Sequence, residues 1–262
     1  MKRILVKTSV LAALCLTTAN VFGASTMPLP VIYDPLDGTA VGTRIGPTGG
    51  IFTNDALHGQ ALMLHGPDEV ETKNRLKYSF TPYSASAPSG TIMMWIKPTY
   101  NWATNQLSTQ QNWILNDSAS YLYLYTYHHA SYNAPIIEWG DWGLHGVIDG
   151  SIFADWFHIA LVFSNVNAVA QSVDRRVMMH VNGVQKLNWT GPALTNKTVM
   201  SSFYIGANHN TKSMKATVDE ILFFREALTP AQVKEIYTRT KPGGASFGDL
   251  YIHPPVTVIV IR

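Results

Sequence analysis

Cysteine occurs once in these 262 residues, at position 15, inside an apolar stretch at the start of the chain. Disulfides and cysteine-ligated zinc are thereby excluded from the body of the protein. Charge is sparse as well: Asp, Glu, Lys and Arg make up 14% of the chain, against about 25% in an ordinary globular domain. There is no clustered basic block, so an electrostatic grip on nucleic acid has no footing here. After the first two dozen residues nothing approaches the run of about 20 apolar residues that a membrane-spanning helix needs. Internal repeats and an alternation of strands with helices are also missing, which leaves an all-β reading for a chain punctuated throughout by Pro, Gly, Thr, Asn and Ser.

The start of the chain has the pattern of an export signal. Lys2 and Arg3 form a basic end, Val10 to Leu16 an apolar centre, and Val21-Phe22-Gly23 a small-residue cleavage site. Residues 1–23 are predicted to be removed, giving a secreted or periplasmic product that begins at Ala24. Cys15 follows Leu14, where a lipid-attachment site wants a small residue, and reads as part of the apolar centre. Without Lys2, Arg3 and Lys7, 16 basic residues face 17 acidic ones, so the formal charge of +2 falls to −1. About 240 residues without disulfides are enough for one β-sandwich with a large core.

From Trp156 to Val233 the signals come in a specific order. Trp156 to Phe163 reads as a buried strand. Arg176 to Val181 and Val184 to Trp189 read as a hairpin turned by Asn182-Gly183, both of which tolerate positive φ. Phe203 to Ala207 and Val218 to Phe224 follow as two further strands. Thr229-Pro230-Ala231-Gln232 then has the form of a capping box with proline at the first helical position, ahead of Val233, Ile236 and Tyr237 on one helical face.

This order resembles the laminin G-like, concanavalin A-like jelly roll. The matching stretches are Trp156-Phe157-His158-Ile159-Ala160, the Asn182-Gly183 hairpin, Tyr204-Ile205-Gly206, Val218-Asp219-Glu220-Ile221 and Leu228-Thr229-Pro230-Ala231-Gln232-Val233. In the N-terminal half Tyr33-Asp34-Pro35-Leu36-Asp37-Gly38, His58-Gly59-Gln60-Ala61-Leu62 and Gly90 to Pro98 match as well. The resemblance covers about 31–238 and implies two antiparallel sheets with one short C-terminal helix. A jelly-roll domain is therefore predicted over 24–241, followed by a tail over 242–262 in which Val256 to Ile261 form an added apolar strand. The same fold carries lectins, adhesion modules, glycosidases and lyases, so it does not name an activity.

Strict alternation in Val218 to Phe224 would put Asp219 on the face shared by Ile221 and Phe223. An acid on an apolar face must be paired, hydrogen-bonded or metal-bound. The resemblance implies a structural Ca²⁺ on Asp219, completed by main-chain oxygens near Pro35 and at Gly59, a mixed oxygen set that suits calcium. The alternative is a plain structural acid, solvated or paired with a base such as Arg44. Asp34 and Asp37 are further acids in reach of the same motifs.

The aromatic residues concentrate elsewhere, between Tyr100 and His145. Tyr121, Tyr123, Tyr125 and Tyr127 alternate with Leu122, Leu124 and Thr126, so the tyrosines share one face of a strand. Such a face can stack on sugar rings; cross-strand packing is the competing explanation. Trp102 and Trp113 bound a long polar loop, Trp139 and Trp142 flank Gly140-Asp141, and both pairs sit where recognition loops are expected. Trp95, Trp156 and Trp189 stand in strands and are expected in the core.

Catalysis finds little support. The Glu-x-Asp-x-x-Glu strand of laminarinase-type glycosidases is absent, and Asp219-Glu220, as strand neighbours, would point to opposite faces. Glu138 and Asp141 remain a weak acid pair, His128-His129 lack the spacing for zinc, and arginine is scarce in the aromatic stretch that a lyase would need to charge. The sequence therefore predicts an exported, non-catalytic glycan-binding module. Its alternatives are a protein-binding adhesive module and a polysaccharide hydrolase or lyase.

Overall fold

The strand-forming stretches pair into two antiparallel sheets in a computed structural model, which describes residues 27–46, 49–54, 56–64, 74–81, 89–99, 112–117, 123–129, 134–139, 144–147, 149–164, 174–192, 201–206 and 214–252. In chain order the strands are β1 Ile32–Asp34, β2 Thr43–Ile45, β3 Ile51–Thr53, β4 Ala61–Met63, β5 Arg75–Ser79, β6 Gly90–Pro98, β7 Asn112–Asp117, β8 Tyr123–His129, β9 Ala134–Trp139, β10 Leu144–Val147, β11 Phe157–Ser164, β12 Asp174–Val181, β13 Val184–Pro192, β14 Ser202–Ile205 and β15 Ala216–Phe224. One sheet runs β13-β12-β11-β6-β15-β4-β3, with β1 also pairing β15; the other runs β10-β9-β8-β7-β14-β5-β2. Chain neighbours such as β5 and β6 lie in different sheets, and the two sheets close on each other as a jelly-roll sandwich.

Local chemistry explains the joints. Asn182 (φ 50°) and Gly183 (φ 71°) are both left-handed, which is the turn that matches the twist of β12 and β13. At the helix α1, Pro230–Thr240, the Thr229 hydroxyl accepts from Gln232 N at 3.3 Å and the Gln232 side chain accepts from Thr229 N at 2.9 Å. The capping box read from the sequence is thus formed on both sides.

The main core lies between the sheets, where Leu76, Ile92, Met94, Leu115, Leu124, Phe157, Phe163, Phe203 and Phe223 are buried together. A second cluster occupies the back of the β6-β11-β15 sheet beneath α1: Met93, Ala160, Val162, Met178, Leu222 and Phe224 meet Val233, Ile236 and Phe247. Trp95 is buried in this layer, stacked against Tyr237 of α1 at 5.7 Å, and its indole N–H donates to Thr240 Oγ at 3.2 Å. Trp156 and Trp189 are half-buried, Trp189 packing against the main core.

His158 and His180 are buried under α1 as well, and neither nitrogen of His180 nor Nδ1 of His158 has a hydrogen-bond partner. Burial, with the neighbouring His180 adding to it, lowers His158 to about 3, and burial lowers His180 to about 4. Both histidines then bind fewer protons folded than unfolded between pH 6.5 and those values, so their contribution to stability is lost as pH falls through that window. His180→Leu should flatten the loss. Between pH 7 and 4.5 the variant's unfolding free energy, from urea titrations, should fall less than the native chain's by on the order of 2 kcal/mol; equal falls would show that His180 is not kept neutral by burial.

Candidate functional site

The strand bearing Asp219 does not keep strict alternation. Val218 and Ile221 both belong to the core between the sheets, while Leu222 and Phe224 face α1. An extra residue therefore sits in between, and the register against β6 shifts after Asp219, which pairs with Trp95. Glu220 takes it up at φ 51°, a β-bulge with glutamate in the left-handed conformation that glycine usually fills. Asp219 accordingly lies on the side of Trp95, not of Ile221 and Phe223 as alternation predicted. Asp219 and Glu220 also do not point to opposite faces: the Glu220 carboxyl accepts from Tyr33 Oη at 2.9 Å and Phe247 N at 2.8 Å, both on the α1 side of the sheet.

Asp219 is 0% exposed, and its carboxyl accepts from Leu57 N at 3.0 Å, His58 N at 3.1 Å and Glu220 N at 2.8 Å. Desolvation nevertheless raises it to about 8, with Glu220 adding in the same direction; Glu220 is itself raised to about 7, by desolvation and then by Asp37 and Asp249. Three segments converge here. The 57–59 turn wraps Asp219 through its amides, Pro35 follows Asp34, which pairs with Ile221 beside the bulge, and Gly59 lies against Asp37 so closely that a Cβ would meet Asp37 Oδ1 at 1.8 Å.

A hard cation at this point would meet a buried acid whose oxygens already accept three main-chain N–H bonds, in an acidic setting beside a left-handed glycine (φ 58°), and would need main-chain oxygens to complete its ligands. No group of three or more acids, histidines or cysteines arranged for a metal occurs among the described residues, so the ligand set would be one carboxylate with main-chain oxygens. Asp34 is committed elsewhere: its carboxyl accepts from Leu36 N (3.2 Å), Val41 N (2.8 Å), Gly42 N (3.2 Å) and Tyr78 Oη (2.8 Å). Arg44 donates to Gly49 O at 2.7 Å and to Gly50 O, and lies over Phe52.

The aromatic stretch forms the β7-β8-β9-β10 half of the other sheet. Trp102, Tyr121 and Trp142, together with Asp141, lie outside the described residues. For Trp113, Tyr123, Tyr127 and Trp139 the backbone places each in its strand. Tyr125 pairs with Trp113 on one side and Glu138 on the other. Its side chain is 7% exposed, on the face opposite the core residue Leu124, so the tyrosine face is covered at that position.

The open part of this outer face is supplied by other strands. On β5, Leu76 and Tyr78 enter the core, which turns Arg75 and Lys77 outward; on β14, Phe203 and Ile205 enter it and turn Tyr204 outward. Register then aligns Thr43, Lys77, Tyr204, Asn116 and Tyr123 in one row across β2, β5, β14, β7 and β8, in which Asn116 is buried. Tyr204 is half-exposed, with Arg75 Cζ 5.0 Å and Lys77 Nζ 5.8 Å from its ring centroid. Sequence reading missed Arg75, Lys77 and Tyr204. The polar-apolar alternation of Arg75-Leu76-Lys77-Tyr78 signals an outward cationic edge, but only strand pairing brings it to the tyrosines.

Residues 73–234 match the family model described as the concanavalin A-like lectin/glucanases superfamily. No curated protein matches the chain. Among solved structures, domain 4 of AbnA, an extracellular arabinanase of Geobacillus stearothermophilus solved with arabinotriose, is 21% identical with a TM-score of 0.45, over 78% of this chain and 84% of that one. The binding domain of botulinum neurotoxin DC, solved with rat synaptotagmin II, is 13% identical with a TM-score of 0.51, over 81% of this chain and 52% of that one. Botulinum neurotoxin type C, whose cell entry depends on two ganglioside molecules, is 11% identical with a TM-score of 0.52, over 81% of this chain and 51% of that one. The chain thus spans about half the length of the two toxin chains, and at these identities the likeness is one of fold.

Proposed function

The chain belongs to the concanavalin A-like lectin/glucanases superfamily, and from that premise we propose that it is an exported glycan-binding module that holds its ligand without catalysis on the outer face of the β10-to-β2 sheet. One observation carries the reading: the row Lys77, Tyr204, Asn116 and Tyr123 across four adjacent strands. A pyranose offers an apolar C–H face and a rim of hydroxyls. A half-exposed tyrosine ring complements the first, and the ammonium of Lys77 beside it hydrogen-bonds the second. Trp102, Trp113, Trp139 and Trp142 are proposed to extend this platform. The two toxin neighbours, one dependent on gangliosides and one solved with a protein, supply precedents of fold for either partner class.

The module is stiffened, in this reading, by a calcium ion held by Asp219 with the main chain at Gly59 and Pro35. Such an ion supplies neutralisation of the buried carboxyl and a tie between three chain segments. The residues do the rest: the Leu57 and His58 amides orient Asp219, which pairs with Trp95 on β6.

Retention on immobilised polysaccharides tests the binding reading. The mature chain should be retained by at least one glycan, and Tyr204→Ala should weaken that retention about five- to thirtyfold, since loss of a stacking ring costs about 1–2 kcal/mol. A folded chain retained by none of a broad glycan panel would leave the protein-binding class as the surviving one.

A further inference from the structure

We propose that His158 and His180 form a binding site beneath α1 for one soft monovalent cation, copper(I), with the thioethers of Met178 and Met93 as further donors. The two histidines stand on adjacent strands. Ala160 of β11 pairs with His180 of β12, so His158, two residues back on the same face, is the diagonal neighbour of His180, at a separation of about 7–8 Å that ring side chains can close. Both are at most 1% exposed, and Nδ1 of His158 and both ring nitrogens of His180 are buried without a hydrogen-bond partner. Such groups cost free energy in an apolar layer, and a bound ion is one of the few arrangements that satisfies them. The ring of His158 packs against Trp95 at 5.1 Å and Tyr237 at 5.9 Å, contacts that hold the imidazole in place. Register also puts Met93 of β6 opposite Ala160 from the other side, and Met178 lies two residues before His180. Ala160, which these four residues surround, adds only a methyl between them.

The surroundings select the charge and softness of the ion. Ligation needs neutral imidazoles, and burial holds both in that form at neutral pH. The acids on this side of the sheet are engaged elsewhere: Asp219 by the Leu57, His58 and Glu220 amides, Glu220 by Tyr33 and Phe247, Glu235 by Arg239 and Tyr251, Asp155 by the Trp156 amide and Lys97, and Asp249 by Ser246. Glu226 is exposed, and Asp174 begins β12 about 20 Å along the strand from His180. The undescribed segments joined to β11, β12 and β13, residues 165–173 and 193–200, contain no acid, and neither do residues 253–262. His58, the other histidine near α1, is bound to Thr240 O at 3.1 Å. A dication would therefore be buried without an anionic ligand. The desolvation cost of an ion grows with the square of its charge, so a monovalent ion of equal size costs about a quarter as much. Zinc would also look for four ligands, whereas copper(I) accepts few and prefers imidazole and thioether donors.

Anaerobic titration of the mature chain with copper(I), in competition with a chromophoric copper(I) chelator, tests the site, and silver(I) serves as an air-stable probe of the same charge. One equivalent should bind. The double variant His158→Leu with His180→Leu should bind weaker by about a hundredfold or more, since even the groups behind metal ligands are worth up to about a hundredfold. Met178→Leu with Met93→Leu should weaken binding by about threefold or more, and X-ray absorption of the copper(I) complex should show scattering from two imidazoles. Binding that survives in the folded histidine variant would put the ion on other residues and overturn the site. Zinc(II) held as tightly as copper(I) would overturn the selection by charge, unchanged binding in the methionine variant would remove the thioethers from the ligand set, and the absence of a bound equivalent would overturn the whole proposal. Circular dichroism and thermal melting establish that the variants are folded. Should the leucines prevent folding, the imidazole ¹⁵N spectrum of the native chain decides: the two histidines that stay neutral down to about pH 5 should shift together with one equivalent of silver(I), and shifts confined to the other histidines would overturn the site.

Discussion

Chelation of calcium should lower the melting temperature of the mature protein by roughly 5–10 °C at pH 8. The expectation comes from a conflict of terms at one side chain. Asp219 is fully buried and accepts three main-chain N–H bonds, which favour its ionised form, yet desolvation prevails and raises it to about 8. A carboxyl in that position needs either a proton or a cation. If an ion is held at a hundred times its dissociation constant, linkage adds about 2.7 kcal/mol, and a protein of this size gains about 2–4 °C for each kcal/mol. Asp219→Asn should abolish the response, because a neutral amide offers neither the charge nor the need. Scanning calorimetry with calcium and with EDTA reads both outcomes. Identical melting of the native chain in the two conditions would dispose of the calcium proposal.

The other large effect is expected at Asp34, for a different reason. Its carboxyl ties three backbone amides and the hydroxyl of Tyr78 at one buried point, and so fixes the loop between β1 and β2. Asp34→Ala removes the acceptor and leaves up to four donors unsatisfied. Each orphaned buried group costs about 1–3 kcal/mol. Relaxation and water entry recover part of that, so a loss of roughly 3–5 kcal/mol is expected, visible as a fall of roughly 6–20 °C in melting temperature. Tyr78→Phe should cost about 1–2 kcal/mol, since Asp34 keeps its three amides. A double-mutant cycle is the discriminating measurement: the tyrosine's effect should shrink sharply in the Asp34→Ala background, and strictly additive losses would mean that the two groups do not act together.

Much of the architecture was legible because it is encoded locally. The Asn182-Gly183 turn, the Thr229 to Gln232 capping box and the apolar strands each carry their instruction within a few residues, and the structure forms them where the sequence puts them. The phase of β15 was not legible. A glycine at position 220 would have marked a bulge; glutamate there reads as one more strand residue, and the alternation drawn through it assigned Asp219 to the wrong side. The candidate face was half legible for a related reason. The tyrosines announce themselves by their spacing in a single strand, whereas Tyr204, Lys77 and Asn116 meet only through the pairing of β14 with β5 and β7. No local pattern records who a strand's neighbours will be. The arginine that seemed scarce near the aromatic stretch arrives from β5 for the same reason.

The bulge at Glu220 has a further consequence for how the chain tolerates change. On its N-terminal side β15 pairs with β4, and on its C-terminal side with β1, while β6 runs along the other flank of both halves. The strand is in effect two half-strands in opposite phase, joined by one residue that resets the parity. Losing or gaining a single residue between Val218 and Ile221 would leave the composition almost untouched. It would still exchange inside for outside along one half, turning Ile221 and Phe223 towards the helix layer and Leu222 and Phe224 into the space between the sheets. Length at this point is therefore information in its own right, much as reading frame is in a gene: related chains can be expected to vary the residues here more readily than their number.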